Sequence, residues 1–134
     1  MRNPFPAVVT LALCLTACAV GPRVGDFKPA YSPAGIEVTL NLEGESTLKG
    51  ELLEVRDSGL VMLNDNEVIL ISYASIRRGG LAQTGIRIGE GKPPARAARE
   101  QLRLLSRYPQ GLSPELLASL LSAYGQEKLT IWPR

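Results

Sequence analysis

The chain has 134 residues, a formal net charge of +2, 45% hydrophobic residues and 5% aromatic residues. This length allows one domain of ordinary size or two very small ones, which excludes a large multidomain enzyme. Histidine is absent and the cysteines are Cys14 and Cys18, so neither a zinc site nor a histidine-based catalytic triad is expected. We expect no metal and no cofactor.

The amino terminus has the features of a secretory signal peptide. Arg2 provides a positive start, and Phe5 to Leu15 form a mostly apolar run. A membrane-spanning helix needs about 20 apolar residues, and this run has roughly half that number. We therefore predict a signal peptide over residues 1–17 that does not remain as a span.

The motif Leu15-Thr16-Ala17-Cys18 at the end of this segment resembles the lipobox of bacterial lipoproteins, in which a large aliphatic residue and two small residues precede a cysteine. The resemblance implies cleavage before Cys18, a diacylglyceryl thioether on its sulfur, and a further acyl chain such as palmitate on the new amino terminus. Two acyl chains suffice for stable anchoring. Cys18 is thus the predicted lipidation site, and the alternatives are an ordinary signal peptide or a buried helix carrying a normal thiol.

The same resemblance predicts a location in the cell envelope. The residue after Cys18 is Ala19, whereas lipoproteins retained in the inner membrane typically have aspartate there. If the source has two membranes, the resemblance therefore favours the outer membrane, with the protein facing the periplasm.

Residues 18–35 are interpreted as the lipidated cysteine followed by a tether. Six of the 17 residues after Cys18 are proline or glycine, and no periodicity is sustained. Such composition is typical of a linker. Fully extended, a chain of that length reaches about 55 Å.

Residues 36–92 are predicted to form a small, strongly bent antiparallel β-barrel of about five strands. Ile36 to Glu43 alternate apolar and polar residues, as in a strand with one buried face. Leu52 and Leu53 then lie on opposite phases, which indicates a bulge or bend after Gly50. The apolar runs Leu60–Leu63 and Val68–Ile71 predict strands that are covered on both faces.

Residues 93–134 are predicted to form a two-helix hairpin and a tail that pack on this barrel, which makes the fold class α+β. The first helix follows Pro94 and has four arginines on one stripe, opposite its leucines. These are Arg96, Arg99, Arg103 and Arg107. A second helix begins at Ser113-Pro114-Glu115, where a capping oxygen precedes a proline and an acid.

Between Val38 and Gly79 the order of strands, glycines and turns resembles a small SH3-like barrel of the Sm-like kind. Only Ile76-Arg77-Arg78-Gly79 matches the second motif of that family. When Gly50 is aligned with the motif glycine, Arg56 stands where the family has aspartate and Leu60 where it has asparagine. The resemblance therefore implies a fold and no nucleic-acid site.

Two short motifs resemble catalytic or phosphate-binding sites. Glu43 and Glu45 form a carboxylate pair around Gly44, and an exposed turn is the simpler interpretation. The sequence Gly89-Glu90-Gly91-Lys92 lacks the glycine spacing and the hydroxyl residue of a phosphate-binding loop, so we interpret it as a linker.

Charge is divided unevenly along the chain. Residues 36–72 contain eight acids and two bases, for a net charge of −6, whereas residues 76–108 contain eight bases and two acids, for a net charge of +6. The arginine stripe of the first helix is therefore either a contact face for an anion or a face balanced by the protein's own acids.

From these observations we predict a membrane-anchored envelope lipoprotein that acts as a non-catalytic binding or structural accessory module. Its expected partners are the membrane, through Cys18, and an envelope protein or anionic lipid. The alternatives are a carboxylate- or serine-dependent envelope hydrolase and, less favoured, an Sm-like nucleic-acid binder. The sequence predicts no oligomeric state.

Overall fold

The computed structural model describes residues 34–82 and 84–133. The predicted signal peptide, Cys18 and nearly all of the tether lie outside the described residues. The described chain forms one seven-stranded, mostly antiparallel sheet and two helices. The α+β class predicted from the sequence is confirmed.

The strands are β1 (Glu37–Leu42), β2 (Thr47–Val55), β3 (Gly59–Asn64), β4 (Glu67–Ser72), β5 (Ile76–Leu81), β6 (Arg87–Gly89) and β7 (Thr130–Trp132). Their order across the sheet is β6-β5-β1-β2-β3-β4-β7. All neighbours are antiparallel except β4 and β7, which are parallel. A single 3₁₀ turn, Tyr73–Ser75, joins β4 to β5.

The expectation of about five strands closed into a barrel is wrong in its strand count and in its closure. Strands β6 and β7 are additional, and they form the two edges of the described sheet because β6 pairs with β5 and β7 pairs with β4. A three-residue strand has too few side chains to show an alternating pattern. These two strands form because β5 and β4 each offer an unpaired backbone edge.

The part of the sheet formed by the end of β2, β3 and β4 is buried on both faces, whereas β1 and β5 each have an exposed face. In β3, Leu60 and Met62 belong to one apolar cluster, while Val61 between them belongs to a second. Successive side chains of a strand point to opposite faces, so the two clusters lie on opposite sides of the sheet. The prediction that the apolar runs of β3 and β4 are covered on both faces is confirmed.

A bulge in β2 moves its apolar side chains from one face to the other. The pairing with β3 shifts register between Leu52 and Glu54, and Leu52 and Leu53 are both fully buried, each in a different cluster. The change of face predicted from the sequence is confirmed at this position. The extra residue of a bulge bends the strand, so β2 contributes to both cores.

The helices are α1 (Arg96–Leu105) and α2 (Pro114–Ala123). In α1, the buried Leu102 joins the first cluster, whereas Leu120 and Leu121 of α2 join the second. The helices therefore cover opposite faces of the sheet instead of packing as a hairpin on one face. The reason lies between them, since the backbone N–H groups of Arg107 and Tyr108 bond to carbonyl oxygens of β2.

Candidate functional site

Two arginines of the predicted stripe lie beside acids of the β2–β3 turn and of α1 itself. Arg99 Nη1 and Arg103 Nη2 lie 3.6 and 3.4 Å from Asp57 Oδ1, and Arg103 Nη1 lies 3.0 Å from Glu100 Oε1. The Asp57 side chain is 83% exposed, so these pairs contribute at most about 1 kcal/mol each. Two of the four stripe arginines thus have carboxylate partners at the surface.

The helical stripe predicted from the sequence ends at Arg103, because α1 ends at Leu105 and Ser106 is extended. Arg107 lies beyond the helix and contacts β2. Its Nε and Nη2 donate to Glu51 Oε1 and Oε2 at 2.6 and 2.7 Å, and the backbone N–H of Gly35 donates to the same Oε1 at 2.6 Å. Its backbone N–H donates to the carbonyl oxygen of Leu52. Arg107 therefore connects the first described residues to β2 and to the end of α1.

Burial and charge act in opposite directions on this arginine. Burial acts to lower the pKa of Arg107, but the hydrogen bonds and the negative charge of Glu51 outweigh it, so the pKa is raised. The guanidinium group therefore stays charged. The edge of the group formed by Nε and Nη2 faces Glu51, so this edge is not available for a contact with a membrane.

Arg96, the first residue of α1, is the stripe member that remains exposed and makes no ion pair with any described residue. The structure thus brings Arg99, Arg103 and Arg107 to the protein's own acids and leaves Arg96 apart from them. The alternative in which the stripe is balanced internally is favoured for three of its four members. The stripe's anion binding stays a prediction.

A second group of arginines lies on β5 and β6. Arg77, Arg78 and Arg87 are all exposed, and none forms an ion pair within the described part of the chain. They belong to the charge excess of residues 76–108, but the sequence did not indicate them as a site. We name these three residues the β5–β6 arginine surface.

A bulge in β5 explains why Arg77 and Arg78 are both exposed, although they are neighbours in a strand. Asn41 of β1 pairs with Arg78, but the next residue, Leu42, pairs with Ile76. Arg77 is therefore the extra residue of a bulge, where strand alternation is interrupted. Without that interruption, one of two consecutive strand residues points into the core.

Arg78 and Arg87 share one face of the sheet. Arg78 pairs with Gly89 and Arg87 pairs with Gly80, so the two arginines are diagonal neighbours, whose Cα atoms lie about 7–8 Å apart. Each faces a glycine across the strand pair, and no side chain rises between them. The result is an open depression of about 510 Å³, lined also by Thr39 and Asn41.

Two glutamates lie near this surface. Glu45 lines a neighbouring depression of about 420 Å³ with Arg77 and Arg78, and Glu90 lines another with Arg77 and Arg87. The backbone N–H of Glu43 donates to the carbonyl oxygen of Ser75, the last residue of the 3₁₀ turn before β5. Glu43 and Glu45 lie in the exposed turn between β1 and β2, so the simpler interpretation of this carboxylate pair agrees with its place in the fold.

The segment Gly89-Glu90-Gly91-Lys92 is a turn that folds back onto β5. The backbone N–H groups of Glu90 and Gly91 donate to carbonyl oxygens of Arg77 and Ile76. Gly91 has φ +65°, and a Cβ there would lie 3.3 Å from the carbonyl oxygen of Ala74. The turn places the exposed Lys92 beside the β5–β6 arginine surface, because Lys92 bridges to Gly89.

The most buried acid has structural partners. Glu54 Oε2 accepts from Arg56 Nε at 2.8 Å, and its Oε1 accepts from the backbone N–H of Leu112 at 3.1 Å. Nearby, the hydroxyl of Tyr73 donates to the carbonyl oxygen of Arg56 at 3.1 Å, and burial raises the pKa of Tyr73 to about 12. These groups join β2, the 3₁₀ turn and the segment before α2.

Within residues 34–82 and 84–133, no group of three or more histidine, cysteine, aspartate and glutamate residues is arranged to hold a metal ion. No helix in the same range is long and apolar enough to cross a membrane. The lipidation site predicted at Cys18 lies outside that range. Comparisons with protein-family models, with curated proteins and with solved structures find no match to this chain.

Proposed function

We propose that this chain is a lipid-anchored protein of the bacterial cell envelope, and that its α+β body is a non-catalytic binding or structural accessory module. The observation that carries the proposal is the motif Leu15-Thr16-Ala17-Cys18, which follows a positive start and an apolar run. The lipid on Cys18 holds the module at a membrane surface, and the body does the binding.

The position of the first described residues supports this arrangement. Gly35 and Ile36 are bonded to Glu51, Leu52 and Leu105, so the body begins immediately after the predicted tether. Residues 19–35 then separate the lipid from the sheet. Even fully extended, 17 residues reach no more than about 55 Å, so the body stays within that distance of the bilayer.

We also propose that strands β5, β1, β2, β3 and β4 correspond in order to the five strands of an SH3-like fold, arranged here in an open sheet whose edges are β6 and β7. Three features support this finer assignment: the adjacency of β5 to β1, the single 3₁₀ turn that joins β4 to β5, and the bulge that bends β2. Such a fold is compatible with many functions, so the lipobox and not the fold carries the functional proposal.

Metabolic labelling with palmitate tests the anchor. Wild type should incorporate the label, Cys18→Ser should not, and Cys14→Ser is the matched control because it removes the other thiol without touching the motif. Cys18→Ser should also retain residues 1–17 and migrate more slowly on a gel. Equal labelling of wild type and Cys18→Ser would overturn the proposal.

Membrane fractionation tests the location if the source has two membranes. Wild type should be recovered with the outer membrane, and Ala19→Asp should move to the inner membrane, because the sorting signal follows the lipidated cysteine. Recovery of both proteins in the inner membrane would contradict the proposed location and leave the lipid attachment intact.

A further inference from the structure

We propose that the β5–β6 arginine surface binds phosphate headgroups of an anionic bilayer. The proposal moves the membrane contact from the α1 stripe to another part of the fold. It deepens the proposed function and rests on it for the proximity of the bilayer. The charges and the pairing geometry that support it belong to the described residues.

The first step is the accounting of positive charge. Arg99, Arg103 and Arg107 of the stripe each have a carboxylate within 3.6 Å. No such partner is found in the described part of the chain for the three arginines of β5 and β6. Among these arginines, the positive charge that the fold leaves available therefore lies mainly on the sheet edge, where three arginines are unpaired, whereas α1 leaves only Arg96 unpaired within the described residues.

The second step is geometry. The bulge at Arg77 exposes two consecutive arginines, and the glycines opposite Arg78 and Arg87 keep the space above the strands open. Two arginines at diagonal positions, where Cα atoms lie about 7–8 Å apart, repel each other in the absence of an anion. A phosphate placed between them relieves this repulsion and can accept paired hydrogen bonds from either fork.

The third step is the choice of partner. The depressions around these arginines are lined by polar residues, glycines and short aliphatic side chains, with no aromatic residue among them. Binding of single-stranded nucleic acid generally uses aromatic stacking in addition to charge. Open, shallow depressions lined by arginine fit a headgroup layer, which presents many phosphates on a broad surface.

The lipid on Cys18 and the arginines have to reach the same bilayer. Arg78 pairs with Asn41 at the end of β1, while the chain enters the body at Gly35 before its start. At about 3.3 Å per residue, this separation is roughly 20 Å. The 17 residues after Cys18 reach about 55 Å when fully extended. That length is enough for a lipid on Cys18 and these arginines to reach one bilayer.

The test uses the mature chain, residues 18–134, with Cys18→Ser so that no acyl chain contributes. Binding is measured by co-sedimentation with vesicles of equal parts phosphatidylglycerol and phosphatidylcholine, and with vesicles of phosphatidylcholine alone. We expect binding to the anionic vesicles only, reduced steeply by salt. Because this chain carries no lipid, its behaviour is independent of the palmitate experiment on Cys18.

Two triple variants with equal loss of charge identify the surface. Replacing Arg77, Arg78 and Arg87 by glutamine should lower vesicle partitioning about 100-fold, at roughly fivefold for each arginine. Replacing Arg96, Arg99 and Arg103 by glutamine is the matched control and should lower it less than about fivefold, because two of these already face carboxylates. Equal losses in both variants, or a larger loss in the control, would overturn the proposal.

A gain of binding keeps the proposal testable if the first triple variant fails to fold. Glu45→Gln and Glu90→Gln each remove a negative charge beside the arginines and should each raise partitioning several-fold. Unchanged or weaker binding in both would refute the assignment. Binding of the wild-type chain to soluble polyglutamate but not to anionic vesicles would also refute it, in favour of an acidic protein as partner.

Discussion

The contact between Arg107 and Glu51 provides a sharp test of the structure. Two charge-assisted hydrogen bonds, at 2.6 and 2.7 Å, join side chains that are 26% and 18% exposed. A hydrogen bond to a charged group contributes roughly 1.5–3 kcal/mol. Partial exposure moves the estimate toward the lower end of that range, so Arg107→Gln should destabilise the body by about 2 kcal/mol.

This loss should appear as a lower melting temperature. For a domain of about 100 residues, each kcal/mol corresponds to roughly 4–8 °C, so circular dichroism should record a decrease of about 10 °C in Arg107→Gln. The control is Arg96→Gln, which removes an exposed arginine of the same stripe that has no carboxylate partner among the described residues. That change should stay within about 0.5 kcal/mol.

A double-mutant cycle with Glu51→Gln isolates the pair from the helix. The coupling between the two substitutions should be about 1–2 kcal/mol, because each single change removes the same interaction. If Arg107→Gln and Arg96→Gln melt at the same temperature, or if the cycle shows no coupling, the contact does not hold the start of the body to β2. The reasoning about Gly35 would then fail with it.

Three further predictions concern the core. Because the pKa of Tyr73 is raised from 10.0 to about 12, wild type should lose about 2–3 kcal/mol of stability between pH 10 and 12 that Tyr73→Phe does not lose. Leu102→Ala, at a fully buried position, should lower the free energy of unfolding by about 2–5 kcal/mol. Gly35→Ala should abolish cooperative melting or lower its midpoint strongly, since a Cβ there would meet the carbonyl oxygen of Leu52.

Each of these has its own control. The protonated tyrosine is favoured in the folded state, so its stabilisation is complete below pH 10 and disappears as the pH approaches 12; denaturant unfolding at several pH values measures the difference from Tyr73→Phe, and a constant difference would contradict the burial argument. Leu104→Ala, at a position 77% exposed, should change stability by less than about 0.5 kcal/mol, and parity with Leu102→Ala would contradict the packing of α1. Gly80→Ala meets no atom within 4 Å, and it should melt near wild type while Gly35→Ala does not.

The longer strands could be predicted because neighbouring residues alternate between apolar and polar side chains, which indicates the buried face. The alternation from Ile36 to Glu43 corresponds to β1, and the change of phase at Leu52 and Leu53 corresponds to the bulge in β2. In both cases local spacing determines which side chains point inward. Strands β6 and β7 are harder to predict, because three residues are too few to show an alternating pattern. Their pairing also depends on the unpaired edges of β5 and β4.

The placement of the helices could not be predicted from their own sequences. Each is amphipathic, and an apolar stripe indicates that one side of a helix is buried. It does not indicate which face of the sheet the helix packs against. The decisive contacts are the backbone hydrogen bonds from Arg107 and Tyr108 to β2. They lie in the connection between α1 and α2, where no side-chain pattern marks them, and they separate the helices onto different faces.

The pairing of charges also depends on the fold, although the number of charges is fixed by the sequence. The +6 excess of residues 76–108 is a sum over composition, and the stripe of α1 is its most regular part. Regular spacing does not reveal that Asp57 and Glu51, which lie 46 and 56 residues before Arg103 and Arg107, return to meet that stripe. From the sequence, pairing of the stripe with the protein's own acids is only one of two alternatives, the other being contact with an external anion.

The consequence is that the charge used for folding and the charge left for binding lie on different elements. Glu51 and Asp57 belong to the acidic segment, residues 36–72. Their negative charges neutralise part of the positive charge of residues 76–108. The β5 bulge acts in the opposite sense, because it exposes Arg77 and Arg78 where no described carboxylate pairs with them. Salt should therefore weaken a contact made by β5 and β6 more than it weakens the partly buried Arg107 pair, since exposed charges are screened more strongly.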